Sequence, residues 1–220
     1  MTRRTLASTL ERAQKGITGI ETAIILIAFV VVASVFSYVA ISSGLFATQK
    51  SQEAIYKGVQ QAEGAVMIKG GLILVSENPG TAGTISQIIF TVSPTMRGNP
   101  IDFTPPSATG ANNGHCAANS QNRVVVSYYD QYSKIDDLYW TVTRCGYDNG
   151  DNLLDEGEMF QITIGNAVHG AGGGNLLDAL AAHPLSINSV FTVQVTTALG
   201  STLTFERTTP AFIDGVTNLH

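Results

Sequence analysis

Two periodicities divide this 220-residue chain. From Ile17 to about Ala47 the residues are apolar nearly all round, and no charge falls between Glu21 and Lys50. No proline occurs before Pro79. The pattern predicts one unbroken helix from Gly16 to about Ile68, roughly 75 Å long at about 1.5 Å per residue. A helix that is apolar on every side is buried on every side. No single domain of this length can cover such a helix, so it needs a membrane, copies of itself, or each in turn. Thr22 to Ile41 alone meets the length of about 20 apolar residues required of a membrane span.

After Gly44 the character changes. Lys50, Glu53, Lys57 and Glu63 alternate with Ala54, Ile55, Val59, Ala62, Val66 and Met67. This spacing predicts an amphipathic continuation with one stripe for neighbours, ended by Gly70-Gly71. Gly44, Gly58 and Gly64 each cost about 1 kcal/mol of helix stability against alanine, a cost usually tied to close helix approach or a gentle bend. From Leu72 the period falls to two. Strands are expected over Leu72–Ser76, Ile85–Val92, Arg123–Tyr128, Tyr139–Thr143, Phe160–Ile164, Val190–Thr197 and Leu203–Thr208, separated by turns at Asn78-Pro-Gly80, Ser93-Pro94, Asn99-Pro100, Pro105-Pro106, Asn149-Gly150 and Leu199-Gly200. The fold class is α+β: a long N-terminal α-helix followed by an immunoglobulin-like β-sandwich head. Trp140 is expected in the core on a central strand. His169–Gly174 is a glycine-rich loop without the features of a phosphate cradle. A short helix over Leu176–Ala182 stops at Pro184.

Met1 to Gly16 holds Arg3, Arg4, Arg12 and Lys15 against one acid, Glu11. A basic leader before an apolar run is a secretory signal with its positive end cytoplasmic. An ordinary signal is cut after its apolar run. Here the basic segment meets the run at Lys15-Gly16 and the acid Glu21 follows. This resembles a class III signal of the type IV pilin kind, cut between Gly16 and Ile17, which would leave the apolar helix on the mature chain.

The segment Lys15-Gly-Ile-Thr-Gly-Ile-Glu-Thr-Ala-Ile-Ile-Leu-Ile-Ala-Phe-Val closely resembles the start of archaeal flagellins (archaellins), as does Gly44-Leu-Phe-Ala-Thr-Gln-Lys50. The resemblance is specific over roughly residues 12–65. It implies three regions: a cleaved signal over 1–16, a polymerisation helix over 17–69 and a β-sandwich head over 70–220. Ile25, Phe29, Val32, Phe36, Gly44 and Phe46 would pack between subunits. Lys15 and Glu21 would serve processing and assembly, with Glu21 meeting the amine freed at Ile17. The alternative for Glu21 is an interfacial residue that marks the helix end. The implied partners are further copies of the chain or other archaellins, a prepilin-like peptidase, an assembly ATPase and a membrane platform protein. The implied location is the extracellular archaellum filament, used for swimming, with a membrane-inserted precursor. An archaeal adhesive type IV pilin and a membrane-anchored extracellular binding module are the competing classes.

Charge narrows the field further. The formal net charge is −5. Without the leader, 8 basic residues face 16 acidic ones, about −8. Such a surface does not suit nucleic acid. It suits an outer face in water and ions. Four histidines, His115, His169, His183 and His220, lie in no recognisable arrangement with an acid and a nucleophile, so no enzymatic role is expected. Cys116 and Cys145 can form one disulfide in an exported domain. Asp148 to Glu158 holds five carboxylates in eleven residues. Asp148, Asp151, Asp155 and Glu158 could ligate Ca2+, as the metal ion of some archaellin heads suggests, or could belong to a solvated acidic hairpin. The EF-hand pattern fails at Gly150 and Leu153. No Asn-x-Ser/Thr acceptor occurs, a departure from the N-glycosylated members of that family.

Overall fold

The computed structural model describes residues 3–166 and 172–219, with side chains from Gly19 onward. Part of the glycine-rich loop, including His169, lies outside the described residues, as does His220. Helix α1 runs Arg3–Glu63. Twelve strands follow. They are β1 Val66–Ile68, β2 Leu72–Asn78, β3 Thr84–Pro94, β4 Ile101–Asp102, β5 Val125–Asp130, β6 Lys134–Ile135, β7 Trp140–Cys145, β8 Leu153–Leu154, β9 Met159–Ile164, β10 Val190–Thr196, β11 Thr202–Thr208 and β12 Val216–Leu219. Helix α2, Leu176–Ala179, precedes β10 and is capped at both levels by Asn175 and Asp178. The chain divides into two compact units, residues 1–56 and 57–220.

Within the second unit the strands form two main antiparallel sheets. One has the order β12-β2-β3-β9-β7, with β1 also on β3. The other runs β11-β10-β5-β6. A small β4–β8 pair completes the set. The period of two is visible in burial: Phe191, Val193 and Val195 of β10 are buried while their neighbours are not. Alternation of this kind puts one face of each sheet into a shared core. Leu74, Ile88, Phe90 and Ile162 from one sheet join Val126, Tyr128, Phe191 and Phe205 from the other in one cluster. Phe90 of β3 meets Phe205 of β11 edge-to-face at 5.1 Å between ring centroids. Phe103 sits edge-on to both Trp140 and Phe160. Trp140 is fully buried, but β7 is an edge strand rather than a central one.

All seven expected strands are present. The end of α1 differs from the expectation. The helix stops at Glu63, not at Gly70-Gly71, and Val66–Ile68 is a strand. The cause lies in the contacts made just past Glu63. β1 pairs with the far end of β3 through Val66↔Pro94, Met67↔Ser93 and Ile68↔Val92. β3 therefore extends through Ser93-Pro94, with the proline as its last residue, where a missing N–H costs little. The carbonyl of Gly64 accepts from Thr197 Oγ1 at 3.1 Å. Gln61 Nε2 donates to the Gly200 carbonyl at 3.3 Å, and Asn99 Nδ2 donates to Glu63 Oε2 at 3.1 Å. The helix end is thus held by the β10–β11 turn and by the loop after β3.

Gly64 is buried against that turn, and a Cβ there would sit 2.6 Å from Leu199 Cβ. Backbone and side chain cannot both keep their places at that separation. Gly64→Ala should destabilise the head by about 1–3 kcal/mol, the usual cost of overpacking. Thermal unfolding of a fragment beginning at Lys57 measures it, and an unchanged melting temperature would contradict the clasp described above.

Candidate functional site: an exposed apolar helix

Every described side chain from Gly19 to Ala62 is exposed. Ile25, Phe29, Val32, Phe36 and Phe46 have relative exposures of 68%, 72%, 54%, 72% and 63%. Isolated exposed apolar residues are ordinary, but a contiguous surface of this extent marks an interaction site. Among the described residues, one helix is long and apolar enough to cross a membrane, and none of that window is buried. Three of the hydroxyls along it turn inward to their own backbone. Thr22 Oγ1 donates to the Gly19 carbonyl, Ser34 Oγ to the Val31 carbonyl at 2.8 Å, and Thr48 Oγ1 to the Gly44 carbonyl at 2.7 Å. A hydroxyl satisfied within its own helix can enter lipid or a packed bundle without an orphaned donor. Polar character returns with the exposed Lys50–Glu53 ion pair at 2.8 Å. Gly44 has nothing within 4 Å of where a Cβ would lie, so a neighbour is free to approach it. Glu21 is exposed. Lys15, Gly16 and Ile17 lie within α1, and their side chains are outside the described residues.

The other sequence-derived residues lie in the head. Cys116 and Cys145 are free thiols, a correction to the expected disulfide. Cys116 donates its S–H to the Leu138 carbonyl at 3.1 Å, at the start of the Leu138–Cys145 stretch. Cys145 ends that stretch as the last residue of β7. An extended run from Leu138 to Cys145 covers about 20 Å, whereas a disulfide requires Cα atoms within about 7 Å. Burial, reinforced by Asp137, pushes the Cys116 thiol above its usual range, so it stays protonated.

The four candidate calcium ligands do not converge. Among the described residues, no group of three or more His, Cys, Asp or Glu side chains could hold a metal ion. Each carboxylate instead has a local task. Glu158 is buried, at 2% exposure, and accepts from the backbone N–H groups of Asn149 and Asp155, both at 3.1 Å. Asp155 Oδ2 accepts from Asn149 Nδ2, and Asp151 Oδ1 from the Leu153 N–H. Asp148 Oδ1 lies 3.7 Å from Arg144 Nε, beyond hydrogen-bond distance, as a loose ion pair. Arg144 hydrogen-bonds the Asp151 carbonyl and Asn152 Oδ1. Sequence reasoning counted the carboxylates correctly but could not see that one of them turns inward and closes the loop.

Glu158→Ala would leave two backbone donors without an acceptor, at about 1–3 kcal/mol for each that stays buried. The head should melt lower in that variant, by the same amount in calcium as in a chelator. Loss of stability confined to calcium-containing buffer would instead mark Glu158 as a ligand.

Comparison with known proteins agrees with the exposed helix and the β head. The family model for archaeal-type flagellin matches residues 16–207. Probable flagellin 2 of Archaeoglobus fulgidus is 32% identical over 215 residues, covering 94% of this chain and 96% of its own length. Probable flagellin 1 of the same organism is 33% identical over 208 residues, covering 92% and 94%. Among solved structures, the archaeal flagellum of Methanospirillum hungatei strain JF1 aligns with a TM-score of 0.53 at 25% identity, over 89% of this chain and 99% of that one. With a match of this breadth at the level of sequence and of fold, the chain belongs to the archaeal-type flagellin family.

Proposed function

We propose that this protein is an archaellin, a structural subunit that polymerises through its N-terminal helix into an extracellular archaellum filament for swimming. The observation that carries the reading is the pairing of a fully exposed apolar helix with a head that closes its own core. The helix is a surface that requires partners; the head is not. Copies of one chain that meet through such a helix in a head-to-tail arrangement that does not close build a filament. The family match and the flagellar structural neighbour support the same reading. They weigh against an adhesive pilin and a solitary membrane anchor.

In the proposed sequence of events, the basic leader holds the precursor at the membrane and the apolar helix lies in lipid. A prepilin-like peptidase cuts between Gly16 and Ile17. An ATPase and a platform protein move the mature subunit into the filament base. There the helix exchanges lipid for neighbouring helices. Both environments are apolar, so the exchange avoids the cost of hydrating the helix surface. Cleavage would place Glu21 near the new Ile17 amine, four residues away, where an ammonium of the same or a neighbouring subunit can pair with it.

Two measurements test the reading. Edman sequencing of native filaments should begin Ile17-Thr18-Gly19-Ile20; a start at Met1, or beyond the apolar run, would contradict filament assembly through this helix. Phe36→Asp places a carboxylate in the apolar stretch, at about 2.5–3.5 kcal/mol per subunit at mid-helix. Electron microscopy should find no filaments, while circular dichroism of the head fragment from Lys57 stays that of a folded β domain. Normal filaments from Phe36→Asp would remove the helix from the interface.

A further inference from the structure

The head has a feature that polymerisation through α1 does not use. A groove of about 600 Å3 opens between the β5–β6 turn, the segment before β10, and β10–β11. Its size falls within the range of small-molecule sites, about 300–1,000 Å3. At its mouth the ring of Tyr132 stacks on His183, with centroids 5.3 Å apart and planes 29° from parallel. Tyr132 is nonetheless 70% exposed, so a ring face remains available. Its position is fixed from below. Asp130 Oδ1 accepts from the backbone N–H groups of Tyr132 and Ser133, at 2.7 and 2.6 Å, and Asp130 Oδ2 accepts from Tyr128 Oη at 2.9 Å.

The lining selects a ligand class. No Lys or Arg lines the groove; Lys134 stands over the ring of Tyr129 but is paired with Asp136 at 3.1 Å, and Glu206 contributes a carboxylate, so the lining disfavours an anion. The charge of Asp130 is already met by three donors, which leaves little to attract a cation. Gln131, Asn188 and Thr192 line the walls with side-chain donors and acceptors that make no hydrogen bond among the described residues. A purely apolar ligand would strip water from those groups without replacing it. What fits is a neutral molecule with an apolar flat face and a rim of hydroxyls, each able to donate and accept. We propose that this groove binds a neutral oligosaccharide, with one sugar ring laid on the exposed face of Tyr132 and its hydroxyls met by Gln131, Asn188, Thr192 and Glu206.

Saturation-transfer NMR on the full-length protein, as purified from cells, tests the site with maltohexaose, chitohexaose and, as an anionic counterpart, hexagalacturonate. At least one neutral sugar should receive saturation at its ring protons, and the anionic one should not. Tyr132→Ala should weaken binding about two- to tenfold, in line with loss of one aromatic contact. Tyr147→Ala, which removes another exposed tyrosine outside the groove, should leave binding unchanged. No transfer to either neutral sugar would overturn the proposal, as would equal binding by Tyr132→Ala. A Tyr132→Ala protein that no longer assembles would overturn it too, because the groove would then be a contact between subunits.

Discussion

The constraint on which the rest depends is the apolar surface of α1, which the chain has no means of covering. Fully burying one Leu, Ile, Val or Phe side chain is worth about 1.5–3 kcal/mol. Between Ile20 and Phe46 there are 15 such residues among the exposed large hydrophobic side chains, with Tyr38 besides. The burial available therefore far exceeds the few kcal/mol by which a domain is stable. Water is a poor environment for that surface, which is why the proposed assembly takes the subunit from lipid to protein without an aqueous stage. The inward-turned hydroxyls of Thr22, Ser34 and Thr48 fit both environments equally.

The last turns of α1, from Lys57 on, belong to the same compact unit as the head. Few groups hold them there. Gly64 supplies a buried carbonyl to Thr197 and a surface without a Cβ for Leu199. Glu63 lies against Gly98 and accepts from Asn99. Two loops from different parts of the head thus grip the last turn of the helix, and β1 follows at once as a strand on β3.

These details also mark what could be read from sequence. The helical character of the apolar run and the seven main strands rest on local patterns of period 3.6 and two. The helix end does not. Ala65–Ile68 continues the helical spacing well enough, and only the pairing of Val66 and Ile68 with a strand some 25 residues later overrides it. Short strands such as β4, β6 and β8 are two residues long, too brief for any alternation to register. β12 is readable only once β2 is known to offer an open edge. The disulfide failed for a similar reason. Two cysteines count as a pair in sequence, but a seven-residue extended run between their neighbourhoods separates them in space. The carboxylates of the acidic loop do not converge among the described residues because Glu158 turns inward to accept from the N–H groups of Asn149 and Asp155.

A filament also demands that the head not polymerise by itself. Strand edges are the hazard, since an open row of N–H and C=O groups pairs with any similar row. The four end strands of the two main sheets are blunted differently. β12 and β6 are short, with four and two residues, and β6 carries Lys134 in an exposed pair with Asp136. β7 turns Arg144 toward the acidic loop, which covers its far end through Asp151 and Asn152. β11 alternates a single buried aromatic, Phe205, with exposed Thr204, Glu206 and Arg207. Charges at an edge cost little in water and much between two sheets. These four edges therefore offer a neighbour's strand no inexpensive pairing. In the proposed filament, assembly falls to α1, whose described side chains from Gly19 to Ala62 are all exposed.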